Sequence, residues 1–236
     1  MIKYPISTLL YLTKINIKDK IQDALKLHNN IDIRLTAIIK DKDGKIIKVH
    51  KQRSHSFVSN FLAIIASSLA TNASQTINNT TYGYFFRMTN GTYALYNPYY
   101  MELNSIFDFN APANNSAYGI VVGTGTATPT PKDYALGSQI SNGTGSGQLE
   151  YGSHTFIPTS GSVIISGNTA YFQIIRTFVN QSGASITVTE TGIIVKVNSS
   201  SGTTQTSLIV HDLLSSPITI PNGSVLQITY TISVTT

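Results

Sequence analysis

The stretch SVLQITYTISV (224–234) has an apolar side chain at every second position, and this pattern decides the fold class. Its apolar members are Leu226, Ile228, Tyr230, Ile232 and Val234. A strand with this period buries one face and exposes the other. The same alternation occurs in IDIRLTAII (31–39). We therefore predict a chain made mostly of half-buried β-strands.

Similar segments recur along the chain, separated by turn signals. They lie at 117–124, 147–157, 162–166, 169–180, 185–197 and 207–214. This spacing is typical of an antiparallel sandwich or barrel. We predict a jelly-roll-like antiparallel β-sandwich over residues 30–236. In 185–197 the apolar row changes phase at Gly192, which predicts a β-bulge there.

Two hairpins and a helix complete the predicted domain. DKDGK (41–45) predicts a turn between 31–39 and a strand at 46–52, and YFFRMTNGTYALYN (84–97) predicts a second hairpin about Asn90-Gly91. SFVSNFLAIIASSLA (56–70) has apolar residues at helical spacing and is expected to bury a wide apolar face against a sheet.

Residues 1–29 are set apart from this domain. NIKDKIQDALKLHNN (16–30) predicts a short amphipathic helix with Ile17, Ile21 and Leu25 on one face. We interpret 1–29 as an N-terminal assembly arm. Deleting residues 2–29 is expected to leave a folded β domain that no longer assembles.

Composition restricts the chemistry and locates the charge. The 236 residues include no cysteine, which excludes disulfides and thiolate sites, and only 11% are charged. Residues 1–80 contain 12 Lys and Arg against 5 acidic residues, whereas 81–236 contain 4 against 6. No segment has the apolar length of a membrane span, and a signal peptide at the start is not expected.

The stretch GIVVGTGTATPTPKDYALGSQ (119–139) looks at first like a phosphate-binding loop. It lacks the third glycine of a dinucleotide fingerprint and the Gly-Lys-Ser/Thr of a P-loop, and Pro129 and Pro131 prevent a following helix. We predict a long surface crossover instead.

No pattern in the sequence indicates a catalytic, metal or cofactor site. His28, His50, His55, His154 and His211 form no metal-binding pair, and the calcium-like start of DKDGK has no glutamate at its twelfth position. The sequence has no G-x-S-x-G motif, the turn that carries the nucleophilic serine in many hydrolases with a Ser-His-Asp triad. We predict a protein that is not an enzyme and needs no cofactor.

Two buried charges are predicted within the domain. Arg176 interrupts the apolar row Phe172, Ile174, Phe178, and Glu190 interrupts the row that begins with Ile186 and Val188. If 180–184 closes a hairpin, the two side chains lie diagonally across neighbouring strands. We predict an inward-facing ion pair; the alternative is that both charges lie on a solvated face.

Four stretches of the sequence resemble a known class of protein. VVGTGTATPTPKDYALGSQI, GQLEY, RTFVNQSGASITVTETGIIV and LIVHDLLSSPITIPNGSVLQITYTISV resemble β-sandwich virion structural proteins, the capsid, tail or decoration subunits of tailed phages and archaeal viruses. They fall within roughly 118–236, and SFVSNFLAII is similar to the N-terminal parts of such subunits. The resemblance implies a structural role in an extracellular virus particle.

Such a role implies partners and surface features. The partners would be copies of the same chain, other structural subunits and, through the basic N-terminal third, the genome. Candidate contacts for nucleic acid or a partner are Lys40, Lys42, Lys45, Lys48, Lys51 and Arg53. The alternative is a solvated hairpin with a lysine-protected edge.

Candidate glycosylation sites lie after residue 70. The nine Asn-x-Ser/Thr sequons are at Asn72, Asn78, Asn79, Asn90, Asn114, Asn142, Asn180, Asn198 and Asn222. Glycosylation would suit the exterior of a glycoprotein from an archaeal host, and a merely polar loop composition explains the sequons equally well.

Two other functions fit the same fold. One is a cell-surface or filament subunit that assembles by strand donation. The other is a carbohydrate-binding or hydrolytic β-sandwich domain.

Overall fold

The protein is mostly β, with antiparallel sheets. The structure, a computed structural model, describes residues 30–54, 57–69, 75–77, 80–82, 85–95, 108–159, 163–198 and 204–236. The strands are β1 (Asn30–Lys40), β2 (Ile46–Ser54), β3 (Gln75–Ile77), β4 (Thr80–Tyr82), β5 (Phe85–Arg87), β6 (Tyr93–Leu95), β7 (Gly119–Gly123), β8 (Glu150–Ile157), β9 (Ile164–Ser166), β10 (Thr169–Val179), β11 (Ile186–Asn198), β12 (Thr204–Ile220) and β13 (Val225–Thr235). The helix of the described residues is α1 (Ser59–Leu69).

The larger sheet has six antiparallel strands. Its order is β2-β1-β13-β10-β8, and β9 pairs with the first residues of β10. The stretch that predicted the fold class becomes β13, which lies between β1 and β10 and pairs with both over its whole length. Its apolar row therefore aligns with the apolar rows of two neighbours to form a continuous face, which we call the core face.

The smaller sheet has three antiparallel strands in the order β12-β11-β7. Side chains from both sheets share one buried apolar cluster. Polar bonds also join the sheets: Tyr230 of β13 donates its hydroxyl to the Asp212 carboxylate of β12 at 3.0 Å, and Ser54 of β2 donates to the same carboxylate at 2.7 Å.

The predicted hairpins and the predicted helix are confirmed. β1 pairs with β2 across a turn in which the Asp41 amide donates to the Lys45 carbonyl and Gly44 has φ of 79°. β5 pairs with β6. Helix α1 buries Ile64 completely, and next to it the Val58 amide donates to the Ile209 carbonyl of β12. The helix of the described residues is not long and apolar enough to cross a membrane.

The predicted hairpin between β10 and β11 is wrong. The turn that follows Val179 takes the chain from the six-stranded sheet to the three-stranded sheet. Asn180 organises this turn, because its buried amide nitrogen donates to the carbonyls of Ala184 and Ile220, each at 2.8 Å.

The β11–β12 ladder is irregular close to the predicted position. Its register shifts lie between Val188 and Glu190 and between Ile193 and Ile194, on either side of Gly192, which itself pairs with His211. A side chain at Gly192 would approach the Val210 carbonyl oxygen to 2.5 Å, so glycine permits close backbone approach there. The predicted assembly arm, residues 1–29, lies outside the described residues.

Candidate functional site

The Gly- and Thr-rich crossover closes over the Glu190 side chain, which is only 1% exposed. One carboxylate oxygen accepts hydrogen bonds from the amides of Gly125 at 2.9 Å and Ser138 at 2.7 Å, and the other accepts from the Gly137 amide at 3.0 Å. Convergent backbone N–H groups form an anion site. The loop that resembled a phosphate site therefore binds a carboxylate of its own chain.

His211 lies between Glu190 and a second carboxylate. Its Nε2 is 2.9 Å from Glu190 Oε2 and its Nδ1 is 2.6 Å from Asp133 Oδ2. Burial alone would lower the pKa of His211, but the hydrogen bonds to Glu190 and Asp133 outweigh burial and raise it. Because both ring nitrogens face carboxylates, the geometry favours the doubly protonated ring, in which each nitrogen donates a hydrogen bond.

The same contacts keep Glu190 ionised. Burial favours a higher pKa for Glu190, but the hydrogen bonds from His211 and from the amides of Ser138, Gly137 and Gly125 lower its pKa to about 2. We call Glu190, His211 and Asp133, with the loop amides, the carboxylate clamp. It fastens 124–140 to β11 and β12.

Arg176 is the second buried charge, and its side chain is bound entirely by main-chain oxygens. Its five N–H groups donate to the carbonyls of Gly152 (2.8 Å), Tyr118 (3.0 Å), Ile120 (2.9 Å), Pro112 (3.2 Å) and Asn115. The guanidinium carbon lies 4.8 Å from the centre of the Tyr151 ring, a cation–π contact. Burial lowers the pKa of Arg176 to about 10, which leaves it charged at neutral pH.

The predicted ion pair between Arg176 and Glu190 is therefore not formed. Both side chains are buried, with exposures of 0% and 1%, but each has its own complete set of partners. Their strands belong to different sheets, so the register assumed for the pair does not exist.

The two other histidines that the structure describes, His50 and His154, do not assemble a site. His154 is buried, its Nε2 accepts from the Ile120 amide at 2.8 Å, and its Nδ1 lies 3.1 Å from the Ala111 carbonyl. Burial lowers the pKa of His154 to about 4, so the ring is neutral. His50 contacts Gln52 at 2.8 Å, and His28 and His55 lie outside the described residues. Among the described residues, no group of three or more His, Asp or Glu could hold a metal ion.

The predicted basic contacts lie on the β1–β2 hairpin, whose strand β2 is the outermost strand of its sheet. Lys48 is on the core face, where its Nζ donates to the Pro217 carbonyl at 3.2 Å, while Lys51 and Arg53 project from the opposite face. Lys42 and Lys45 are exposed and Lys40 is half-buried.

A basic depression lies on that opposite face. The Asp32 carboxylate binds the Nε atoms of Arg34 at 2.8 Å and Arg53 at 2.6 Å. The side chains of Arg34 and Arg53 remain 71% and 60% exposed. The depression has a volume of about 440 Å³ and is lined by Arg34, Leu35, Thr36, Lys51, Gln52 and Arg53.

The sequons differ in accessibility. Asn90, Asn114 and Asn222 are exposed and Asn142 is half-buried. Asn180 is completely buried and uses its amide nitrogen in two hydrogen bonds, so the prediction of a glycan there is wrong. Asn72, Asn78 and Asn79 lie outside the described residues, as does the side chain of Asn198.

An exposed apolar row crosses one end of the core face. Cross-strand pairing aligns Ile31 of β1 with Val234 of β13, Val234 with Ala170 of β10, and Ala170 with Ile165 of β9. Ile31 is 60% exposed, Val234 36% and Ile165 74%. We call these four residues the end row. Directly opposed side chains lie about 5 Å apart, so the row forms one continuous apolar strip.

Comparison with protein-family models, with curated proteins and with solved structures finds no match to this chain.

Sequence reasoning missed both the end row and the partners of the buried charges. The alternation that predicts β13 continues through Val234, but periodicity does not show where the covering sheet ends. The convergence of loop amides on Glu190 had a visible signal, the Gly-rich loop, which is compatible with an anion contact but does not indicate which anion is bound.

Proposed function

We propose that this chain is a non-enzymatic structural subunit of a virus particle, which acts through contacts with copies of itself and with other structural subunits. The resemblance of 118–236 to virion β-sandwich proteins supports the viral setting. The end row supports assembly, and it is the observation on which the proposal rests.

The proposal includes a jelly-roll-like sandwich as the fold. Both sheets contribute side chains to one buried cluster, and Tyr230 and Arg176 reach from the larger sheet to groups associated with the smaller one. An assembly subunit benefits from such a rigid body, because repeated contacts require a fixed spacing between surfaces.

The argument for assembly is energetic. Three large apolar side chains of the end row are exposed on the face that elsewhere forms the core. Burial of apolar surface stabilises by about 25 cal/mol per Å², and contiguous apolar patches on soluble proteins mark interaction sites. A contact that covers the end row therefore buries several adjoining apolar side chains at once, whereas a contact over a single surface leucine buries only one.

The test compares the assembly state of the full chain with that of two variants. Mass photometry and negative-stain microscopy should show regular multimers of the unaltered protein. Ile165→Asp should raise the midpoint concentration of assembly at least tenfold, whereas Leu62→Asp, on α1 and 66% exposed in the unaltered chain, should leave it unchanged.

A protein that stays monomeric at every concentration and salt tested would refute the proposal. Strand-linked filaments would favour the filament subunit, and a saccharide-dependent rise in melting temperature of a monomer would favour the carbohydrate-binding domain.

Contact with the genome is a second proposed role, and the basic depression favours it. Asp32 orients two guanidiniums while they remain exposed, and Lys51 lies beside them. Arginine side chains held in this way suit phosphate oxygens. Arg34→Gln with Arg53→Gln should weaken binding of a mixed-sequence oligonucleotide and flatten its salt dependence, while Lys132→Gln, an exposed lysine of the crossover loop, serves as the control. Equal binding by all three proteins would exclude this role.

A further inference from the structure

The end row is an extension of the buried core rather than an isolated patch. The next row inward consists of Ile33, Ile232 and Phe172, of which Ile33 is only 5% exposed. Along β1 the core face passes from buried at Ile33 to exposed at Ile31, and the half-buried Ile232 and Phe172 connect the core to the end row on the neighbouring strands. An occupant of the end row would continue the core without a polar gap.

The N-terminal segment, residues 1–29, joins the described part of the chain beside the end row. Asn30, the first residue of β1, pairs with Thr235 and is followed directly by Ile31 of the end row. Asn30, to which residues 1–29 are joined, therefore lies beside the end row.

The sequence of this segment is complementary to the end row. ISTLLYL (6–12) is apolar, and Ile17, Ile21 and Leu25 recur at helical spacing in 16–30. A helix with one apolar face needs an apolar surface to cover it. A segment of 29 residues is also long: a helix of about 13 residues spans about 20 Å, and the remainder, extended, adds about 50 Å.

We propose that residues 1–29 of one subunit cover the end row of a neighbouring copy. The covering segment is an exchanged arm, and each subunit both supplies one and accepts one. This inference rests on the proposed function, since it names the partner of the surface that supports assembly. We assign the cover to a neighbouring copy because the proposed function requires contacts between subunits.

The absence of cysteine from the chain allows a direct test by site-specific cross-linking. Ile165→Cys and Leu25→Cys are made separately in the full-length chain, one of them with a size tag, and mixed before treatment with a short bismaleimide. We expect a cross-linked product containing one tagged and one untagged chain. The matched control replaces Ile165→Cys with Leu62→Cys, a similarly exposed position on α1, and should yield at least tenfold less product.

A chain carrying both Ile165→Cys and Leu25→Cys separates exchange from self-covering. Exchange predicts dimers and larger ladders, whereas self-covering predicts an internally cross-linked monomer and would overturn the inference. Equal cross-linking at position 62 and position 165 would overturn it as well. Melting curves of each variant confirm that the fold is retained, as expected for exposed positions.

The outcomes also separate this inference from the proposed function. Multimers that form without cross-linking between positions 25 and 165 would refute the arm and leave the assembly subunit in place. A full-length chain that remains monomeric would refute both.

Discussion

Replacing Arg176 with methionine should destabilise the protein severely. Arg176 is fully buried and donates five hydrogen bonds to main-chain carbonyls of three separate segments, 112–115, 118–120 and residue 152. Methionine fills much of the same volume but donates nothing. The change therefore leaves five carbonyl groups without this donor, and that of Ile120 belongs to a fully buried residue.

The magnitude follows from two opposing terms. A hydrogen bond to a charged group contributes about 1.5–3 kcal/mol, but the guanidinium loses its hydration on burial, so five bonds do not add in full. A buried acceptor left without its donor costs about 1–3 kcal/mol, and because most of the five carbonyls are only partly buried we expect a net loss of about 3–5 kcal/mol. For a chain of this size that loss corresponds to a fall in melting temperature of roughly 6–20 °C.

The assay is urea unfolding followed by circular dichroism, with two control variants. Arg176→Lys retains the charge but has three donors in place of five, so its loss should be intermediate. Arg34→Met removes a side chain that is 71% exposed and should cost no more than about 1 kcal/mol. Hydrogen exchange should rise first in 112–120, the segment with most of the Arg176 acceptors.

Two results would refute this reasoning. A loss below about 1 kcal/mol for Arg176→Met would mean that the carbonyls find other donors at little cost. Strong coupling between Arg176→Met and Glu190→Gln would indicate a direct interaction; because the two side chains share no partner, we expect additivity within about 0.5 kcal/mol.

Three further predictions concern the carboxylate clamp and the turn at Asn180. Gly125→Ala should destabilise the protein, because its Cβ would lie 2.5 Å from Glu190 Oε1, whereas Gly137→Ala in the same loop meets nothing closer than 3.4 Å; equal melting temperatures would contradict the clamp geometry. The stabilisation from Glu190 is present above its ordinary pKa of 4.5 and is lost as pH falls through about 2, and that from His211 is complete below 6.5 and is lost as pH rises through its raised pKa. The melting temperature should thus change little between neutral pH and about pH 5, should fall progressively as pH drops from about 4.5 towards 2, and should fall as pH rises through the raised pKa of His211; equal melting temperatures at neutral pH and at about pH 2.5 would contradict the clamp. Asn180→Ala should cost about 2–3 kcal/mol, measured by urea unfolding, and a near-neutral effect would show that its two carbonyl contacts are replaceable.

The fold class could be predicted from the sequence because burial in β-strands has a period of two. The apolar rows of β1 and β13 alternate without interruption. Asp43-Gly44 is typical of a turn, and Gly44 has the positive φ that glycine adopts readily. The same logic located the buried charges. Arg176 and Glu190 each interrupt an apolar row, and both side chains are in fact buried.

Their partners could not be predicted, because all of the groups that hydrogen-bond to Arg176 and three of the four that bind Glu190 are main-chain atoms. Every residue has a carbonyl and an amide, so sequence carries no mark of which ones converge. The acceptors of Arg176 are 24 to 64 residues away along the chain, and they meet only after β7, β8 and β10 have assembled. An ion pair would have been the simplest arrangement of the two side chains, but Arg176 binds main-chain carbonyls instead.

The crossover loop shows why an anion-site pattern can mislead. Glycines allow the backbone to approach an anion closely, and at Gly125 any side chain would strike the Glu190 carboxylate. That requirement is the same for a phosphate supplied by a ligand and for a carboxylate supplied by the chain. What separates the two cases is a buried acid opposite the loop and a histidine to share its charge, and both come from strands more than 50 residues further along the chain. A glycine-rich loop without its lysine therefore indicates an anion contact, and the search for the anion should begin with the buried acids of the same chain.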